Sequence, residues 1–204
     1  MTNFAKIAIV LLVGVSVAAI IFLAGSVFGA KNDLPYPGPP GHQPGAFAFT
    51  NQEGHVITED SVYGKVTVVE FFFTTCPGIC KEMNKNLGTV YAAFSGNNSV
   101  RILSHTVDPE HDSVDVLRAY AGKLNASAPV WQFLTGDKER LYKTARIDYL
   151  LSVEDPPADI EDDFIHTEYV ALIDKRRKIR GYYDATDELA TRQLIEDIDR
   201  LLDE

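Results

Sequence analysis

Cysteine is scarce in this sequence, which has two cysteines, Cys76 and Cys80, among its 204 residues. Two cysteines are too few to build a disulfide scaffold, so the fold must rest on a hydrophobic core. The composition can supply such a core, since 46% of the residues are hydrophobic, and the length fits one globular domain with appendages. The cysteine pair is therefore free for chemistry.

Basic residues are also in the minority. The sequence has 19 lysines and arginines against 29 aspartates and glutamates, which gives a formal net charge of −10. A surface of this charge repels nucleic acid, so we expect no nucleic-acid partner. An acidic surface either steers cations and basic partners toward the protein or simply stays solvated.

Charge is absent altogether from residues 7–30. As a helix this run would span roughly 36 Å, which is enough to cross a bilayer. We expect residues 1–30 to be a single-pass transmembrane helix, or a signal peptide if the chain is cleaved near Ala24. Lys6 favours a cytoplasmic N-terminus. The rest of the chain would then lie on the periplasmic or extracytoplasmic side of the inner (cytoplasmic) membrane.

Two further regions follow the apolar run. Residues 31–45 are rich in proline and glycine, which predicts an extended, semi-rigid linker. Residues 46–204 form the predicted domain, and their periodicity indicates a series of strands and helices. These are a hairpin at 46–50 and 55–58, a strand at 66–73, a helix at 81–94, a strand at 100–107, a helix at 114–124 capped by Asp112 or Ser113, a strand at 131–134, a helix at 138–145, a hairpin at 169–174 and 179–183, and a final helix around 194–202.

The order of these elements predicts an α/β domain. Alternating strands and helices specify a largely parallel sheet covered on both faces, to which the late hairpin adds antiparallel strands. The nearly continuous apolar run at 66–73 is typical of a central strand. This order resembles the thioredoxin fold, with an N-terminal β-hairpin extension. In such sheets chemistry gathers beyond the carboxyl ends of the strands, where the cysteines lie.

Cys76 and Cys80 are separated by three residues and lie between that strand and a helix. Exposed N–H groups and the dipole at the start of the helix favour thiolate over thiol. Three hypotheses fit such a pair: a structural disulfide, a redox-active dithiol, or a site for a soft ion such as Cu(I), with zinc as competitor.

A metal site needs at least one more ligand, for which the sequence offers five histidines. His42 in the linker and His55 in the hairpin are typical surface residues. His105 lies inside a predicted strand, and we expect it to be a core or surface histidine whose hydrogen bonds are satisfied. His111 lies in a turn at the end of that strand. His166 is best placed, because the loop entering the strand at 169–174 faces the cysteine loop in a thioredoxin-like sheet.

Several motifs together resemble the Sco/SenC family. They are Thr74-Thr75-Cys76-Pro77-Gly78-Ile79-Cys80, the run from Val107 to Ser113, and His166-Thr167 before a strand, in a chain with an N-terminal apolar segment. The resemblance covers about residues 46–204. It implies a thioredoxin-like fold and a membrane-tethered copper metallochaperone for the copper A site of cytochrome c oxidase subunit II. The copper ligands of the family would fall on Cys76, Cys80 and His166.

The resemblance allows two roles. As a carrier, the reduced cysteines with neutral His166 would bind copper at a surface-accessible loop and pass it on by ligand exchange, with Asp108 and Glu110 adjusting the nearby charge. As an exported thiol-disulfide oxidoreductase, the chain would use Cys76 and Cys80 as a redox pair that keeps the cysteines of a client copper site reduced. A thiol reductant or another copper chaperone would then be a further partner. Thiol exchange does not need His166, so this histidine favours the metal.

Overall fold

The structure is a computed structural model that describes residues 14, 16, 34–151 and 167–204. Residues Pro35–Glu204 form one compact unit. The predicted anchor at residues 7–30 lies outside the described residues, apart from Gly14 and Ser16. Within the described ranges, no helix is both long enough and apolar enough to cross a membrane.

Seven strands and five helices are present among the described residues. The strands are β1 (Ala48–Asn51), β2 (Val56–Thr58), β3 (Val66–Phe72), β4 (Val100–Thr106), β5 (Trp131–Thr135), β6 (Tyr169–Ile173) and β7 (Ile179–Asp184). The helices are α1 (Glu59–Val62), α2 (Ile79–Phe94), α3 (Val114–Lys123), α4 (Lys138–Lys143), which continues as a π-helical turn at Thr144–Asp148, and α5 (Glu188–Asp203).

The strands form one mixed sheet in the order β2-β1-β5-β4-β3-β6-β7. The three central strands β3, β4 and β5 are parallel, while the other pairings of the described strands are antiparallel. The sheet is therefore mixed rather than largely parallel. Its centre is parallel and the late hairpin adds antiparallel strands, as predicted, but the N-terminal hairpin also joins the sheet, through the antiparallel pairing of β1 with β5.

Strand β3 is the central strand that the apolar run predicted. All seven of its residues are buried, because β4 and β6 flank it and helices cover both faces of the sheet. Its parallel register with β4 pairs Phe72 with Thr106, so the two strands end together. The backbone N–H of Val107 extends this pairing by donating to Phe72 O at 2.8 Å. The loops after β3 and β4 therefore begin side by side.

Successive residues of β3 point to opposite faces of the sheet, which creates two core layers. Phe71 belongs to a cluster with Phe49 and Leu141 that α4 and the π-helical turn cover. Phe72 faces the other layer and contacts Tyr120 of α3 and Phe133 of β5, with ring centroids 5.4 Å apart in each pair. Burying each large apolar side chain contributes about 1.5–3 kcal/mol, so these layers hold the sheet centre in place.

Part of the predicted linker lies against the domain. His42 Nε2 is 2.8 Å from Asp148 O, and the N–H of Gly45 donates to Asp148 Oδ1 at 2.9 Å. Arg177 donates to Pro44 O at 2.8 Å. Residues 42–45 of the predicted linker are therefore hydrogen-bonded to residues of the domain.

His105 on β4 is buried as expected of a core histidine, but it is not satisfied. Its ring stacks on Phe71 at a centroid distance of 5.0 Å, and neither ring nitrogen has a hydrogen-bond partner among the described residues. Burial lowers the pKa of His105 from 6.5 to about 4, and the nearby backbone of Glu70 and Leu103 offsets this only in part. The imidazole is therefore neutral at physiological pH.

The substitution His105→Phe should remove part of the acid sensitivity of the fold. The folded-state pKa lies below the unfolded-state value, so the unfolded chain takes up a proton first and stability falls as the pH drops from about 6.5 to about 4. The decrease in the free energy of unfolding that is due to His105 is about 3 kcal/mol, at 1.36 kcal/mol per pKa unit. Urea unfolding at pH 7.5, 5.5 and 4.5 measures it.

The control is His55→Ala, which removes a histidine that is 72% exposed on the hairpin. Parallel stability curves for wild type and His105→Phe between pH 7.5 and 4.5 would contradict the assignment.

Candidate metal and thiol site

The two cysteines lie at the end of β3. Cys76 is in the loop that follows the strand, and Cys80 is in the first turn of α2. The helix starts at Ile79, two residues earlier than predicted. It can do so because Gly78 leaves the helical region with φ −141° and ψ −85°, and the next N–H groups find acceptors at once: Lys81 N donates to Gly78 O at 3.0 Å.

The sulfur of Cys76 acts as an acceptor at the start of α2. The backbone N–H of Cys80 donates to Cys76 Sγ at 3.4 Å, so the sulfur occupies the place of an N-cap side chain. Burial raises the pKa of Cys76, but hydrogen bonds from the Cys80 thiol and from the N–H groups of Cys80 and Gly78 outweigh it, and the net pKa is lowered. The positive charge of Lys81 adds to this effect. Cys76 is therefore the thiolate-forming member of the pair.

Cys80 has the opposite character. Burial raises its pKa above the usual value for a thiol, and the Cys76 sulfur and the charge of Glu70 raise it further. Cys80 lies on the buried face of α2, together with Met83, Asn84 and Leu87. The pair is therefore an asymmetric dithiol, in which one sulfur is poised to lose its proton and the other retains it.

Both sulfur-bearing residues are buried, although their loop is exposed. Cys76 is 5% and Cys80 is 4% exposed, whereas Ile79 between them is 42% exposed. Sequence reasoning placed the pair on a surface-accessible loop, which is correct for the loop and wrong for the two cysteines. The reason is that Cys76 turns toward the helix N-terminus and Cys80 toward the core.

The described histidines do not complete a metal site with the cysteines. Among the described residues, no group of three or more His, Cys, Asp or Glu side chains is arranged to hold a metal ion. His111 is exposed at the end of β4, where its Nδ1 lies 2.9 Å from Asp108 Oδ1, and that carboxylate raises the pKa of the imidazole. His166, the ligand that the sequence favours, lies outside the described residues.

Sequence reasoning did not identify Glu70 as a buried ionisable group near the cysteines. The one indication was that Glu70 is the single acidic residue in an otherwise apolar strand. Its side chain is fully buried, and Glu70 Oε2 accepts a hydrogen bond from Ser104 Oγ at 2.5 Å. Its other oxygen has no partner among the described residues. Burial raises the pKa of Glu70 to about 7, although the Ser104 hydroxyl lowers it somewhat. The charge of this group reaches both Cys80 and Tyr120.

Comparison with protein families and curated proteins gives a consistent result. The family model described as SCO1/SenC matches residues 38–203. The SCO1 protein homolog of Bacillus subtilis is 29% identical over 154 residues, which cover 74% of this chain and 79% of that protein.

Solved structures agree. A SCO1/SenC family lipoprotein from Bacillus anthracis str. Ames has a TM-score of 0.70 and 28% identity, covering 82% of this chain and 99% of the other. BsSco, a Sco family cytochrome c oxidase assembly protein with a disulfide switch, has a TM-score of 0.66 and 27% identity, covering 79% of this chain and 94% of the other. ScoI of Bradyrhizobium japonicum with copper bound has a TM-score of 0.60 and 25% identity, covering 78% of this chain and 99% of the other. These likenesses confirm the thioredoxin-like α/β fold.

Alkylation of the reduced protein should begin at Cys76. Iodoacetamide reacts with the thiolate, so the lowered pKa of Cys76 and the raised pKa of Cys80 should make Cys76 react at least about tenfold faster at pH 7.5. Peptide mass spectrometry at short reaction times measures the order. Cys80→Ser retains a hydroxyl donor and should keep the fast reaction, whereas Cys76→Ser should lose it. Modification of Cys80 first would reverse the assignment.

Glu70→Gln should stabilise the protein at alkaline pH alone. The folded-state pKa of about 7 lies above the unfolded value of 4.5, so the stability from this group is present below pH 4.5 and is lost as the pH rises through 7. Glutamine resembles the protonated acid and should gain of the order of 3 kcal/mol at pH 8.5. Denaturant unfolding at pH 5 and 8.5 checks this, and an equal gain at both values would contradict it.

Proposed function

Because this chain belongs to the SCO1/SenC family, we propose that it is a membrane-anchored copper metallochaperone that delivers copper to the copper A site of cytochrome c oxidase. The observation that carries the proposal is the asymmetric dithiol of Cys76 and Cys80 at the end of β3. A Sco relative with copper bound and BsSco as an oxidase assembly protein support it.

The proposed copper ligands are Cys76, Cys80 and His166. Thiolates are soft ligands that select Cu(I), and an imidazole completes a three-coordinate S₂N set. A structural zinc site would require a fourth protein ligand. An open, three-coordinate set suits a carrier, because an incoming ligand from the client can bind before one of the carrier's ligands leaves.

Copper uptake would change the protonation of the dithiol. Cys76 is already the better acceptor for a cation, whereas Cys80 holds its proton through burial. Binding through both sulfurs therefore releases the Cys80 proton. Since both cysteines are buried beneath an exposed loop, transfer to subunit II of the oxidase requires that loop to shift. Asp108, 19% exposed, and the neighbouring Glu110 would add negative charge near the cargo.

The proposed location is the inner membrane. Residues 1–30 would form the single-pass anchor, residues 31–45 the linker and residues 46–204 the domain on the periplasmic side. The charge-free run at residues 7–30 supports this arrangement. The similar structure from B. anthracis is that of a lipoprotein, a class of protein held at a membrane by lipid.

A second function has specific support. The pKa asymmetry of Cys76 and Cys80 is that of a thiol-disulfide reductase, in which one thiolate attacks a disulfide and the second thiol resolves the mixed disulfide. BsSco is described with a disulfide switch. In this role the chain would keep the copper-site cysteines of its client reduced, and a separate thiol reductant would regenerate it.

Anaerobic titration of the reduced full-length chain with Cu(I) against a competing chelator tests the carrier function. We expect one tightly held copper per chain. Cys76→Ser or Cys80→Ser should weaken binding at least about 100-fold and His166→Ala at least about tenfold, because each removes a ligand. His55→Ala, on the exposed hairpin, should bind as wild type does.

His111→Ala separates the two candidate imidazoles. If this variant loses affinity and His166→Ala does not, the third ligand is misassigned. If the wild type binds no copper specifically but reduces a model disulfide, the reductase is the function and the carrier proposal fails.

A further inference from the structure

We propose that Asp112 is a positioning residue of the site, which holds the cysteine loop in place by clamping Thr74 to the end of β4. The inference rests on the proposed function only in that it concerns the same two cysteines. Asp112 is fully buried at the start of α3. It is not the cap of that helix, since Ser113 Oγ accepts the N–H of Val116 at 3.4 Å.

The carboxylate of Asp112 instead accepts three hydrogen bonds. The backbone N–H of Thr74 donates to Oδ2 at 3.1 Å, and the Thr74 hydroxyl donates to Oδ1. The Thr106 hydroxyl donates to Oδ2 at 2.5 Å. Three hydrogen bonds to one buried side chain tie Thr74 of the cysteine loop to Thr106 of β4, so Asp112 is the junction between them.

The junction sits two residues before Cys76. It fixes both the backbone and the side chain of Thr74, where the chain leaves β3. From there, Cys76 N donates to Phe73 O at 3.2 Å, and Cys76 Sγ reaches the N–H of Cys80. A change at Thr74 therefore moves the sulfur relative to the start of α2, on which its acceptor role depends.

The other side of the junction is anchored in the sheet. Thr106 is the last residue of β4 and is fully buried, and its Oγ1 accepts the N–H of Asp108 at 3.0 Å. The N–H of Asp112 donates to Asp108 O at 2.9 Å. The cysteine loop is thus tied to a turn that β4 holds rigidly, rather than to solvent.

The rate of Cys76 alkylation at pH 7.5 tests the clamp without requiring copper. Asp112→Asn replaces one acceptor oxygen by an NH₂ group, which cannot accept the threonine hydrogens, and should slow alkylation at least about threefold. Thr74→Val should slow it similarly. Thr74→Ser keeps the hydroxyl and should react at the wild-type rate.

Asp197→Asn is the matched control. Asp197 is a buried carboxylate on α5 that accepts hydrogen bonds from Tyr183 Oη at 2.7 Å and Gln193 Nε2 at 3.1 Å. The Asp197→Asn substitution should lower the thermal stability of the protein but leave the rate of Cys76 alkylation unchanged. Equal slowing by Asp197→Asn, or wild-type rates in both Asp112→Asn and Thr74→Val, would overturn the proposal.

The same variants in the Cu(I) competition separate this inference from the proposed function. Slow alkylation in Asp112→Asn and Thr74→Val, with no copper binding even by wild type, supports the clamp and overturns the carrier. Tight copper binding by wild type with unchanged alkylation in both variants supports the carrier and overturns the clamp. If Asp112→Asn does not fold, the comparison of Thr74→Val with Thr74→Ser decides the matter.

Discussion

The parallel pairing of β3 with β4 is the constraint on which the rest of the structure depends. Its register ends both strands together, at Phe72 and Thr106, and so brings their two following loops side by side. One loop carries Cys76 and the other carries Asp112. Strand β3 can hold this central place because all of its residues are buried between two neighbouring strands and two helical layers. The site therefore inherits its geometry from the most deeply buried part of the fold.

The same two strands carry an ionisable group on each face of the sheet. Glu70 lies on one face with a raised pKa, and His105 lies on the other with a lowered pKa. Burial penalises the charged form in both cases, so both groups favour neutrality in the folded state. Their effects on stability run in opposite directions with pH, which places the most stable range between the two. The Glu70 carboxylate also links the electrostatics of the core to the Cys80 thiol.

Much of the fold was predictable from local patterns. The apolar β-branched run at 66–73 predicted the central strand, and helical spacing after Cys80 predicted α2. That the N-terminal hairpin joins the same sheet was not predicted, because the pairing of β1 with β5 involves residues far apart in sequence. For the site, the sequence shows the two cysteines and their spacing. It did not predict that Cys80 faces the core, since this depends on the exact start of α2.

By itself, the sequence determined the chemical content of the site: two thiols, three residues apart, between a strand and a helix, in a chain with family motifs around them. Tertiary structure alone decided which thiol loses its proton first, because the difference arises from the N–H groups at the helix start and from burial. It also decided that Asp112 accepts hydrogen bonds from Thr74 and does not cap the helix that it precedes. The sequence specifies the type of each side chain, whereas hydrogen-bond partners and burial depend on contacts between segments that only folding brings together.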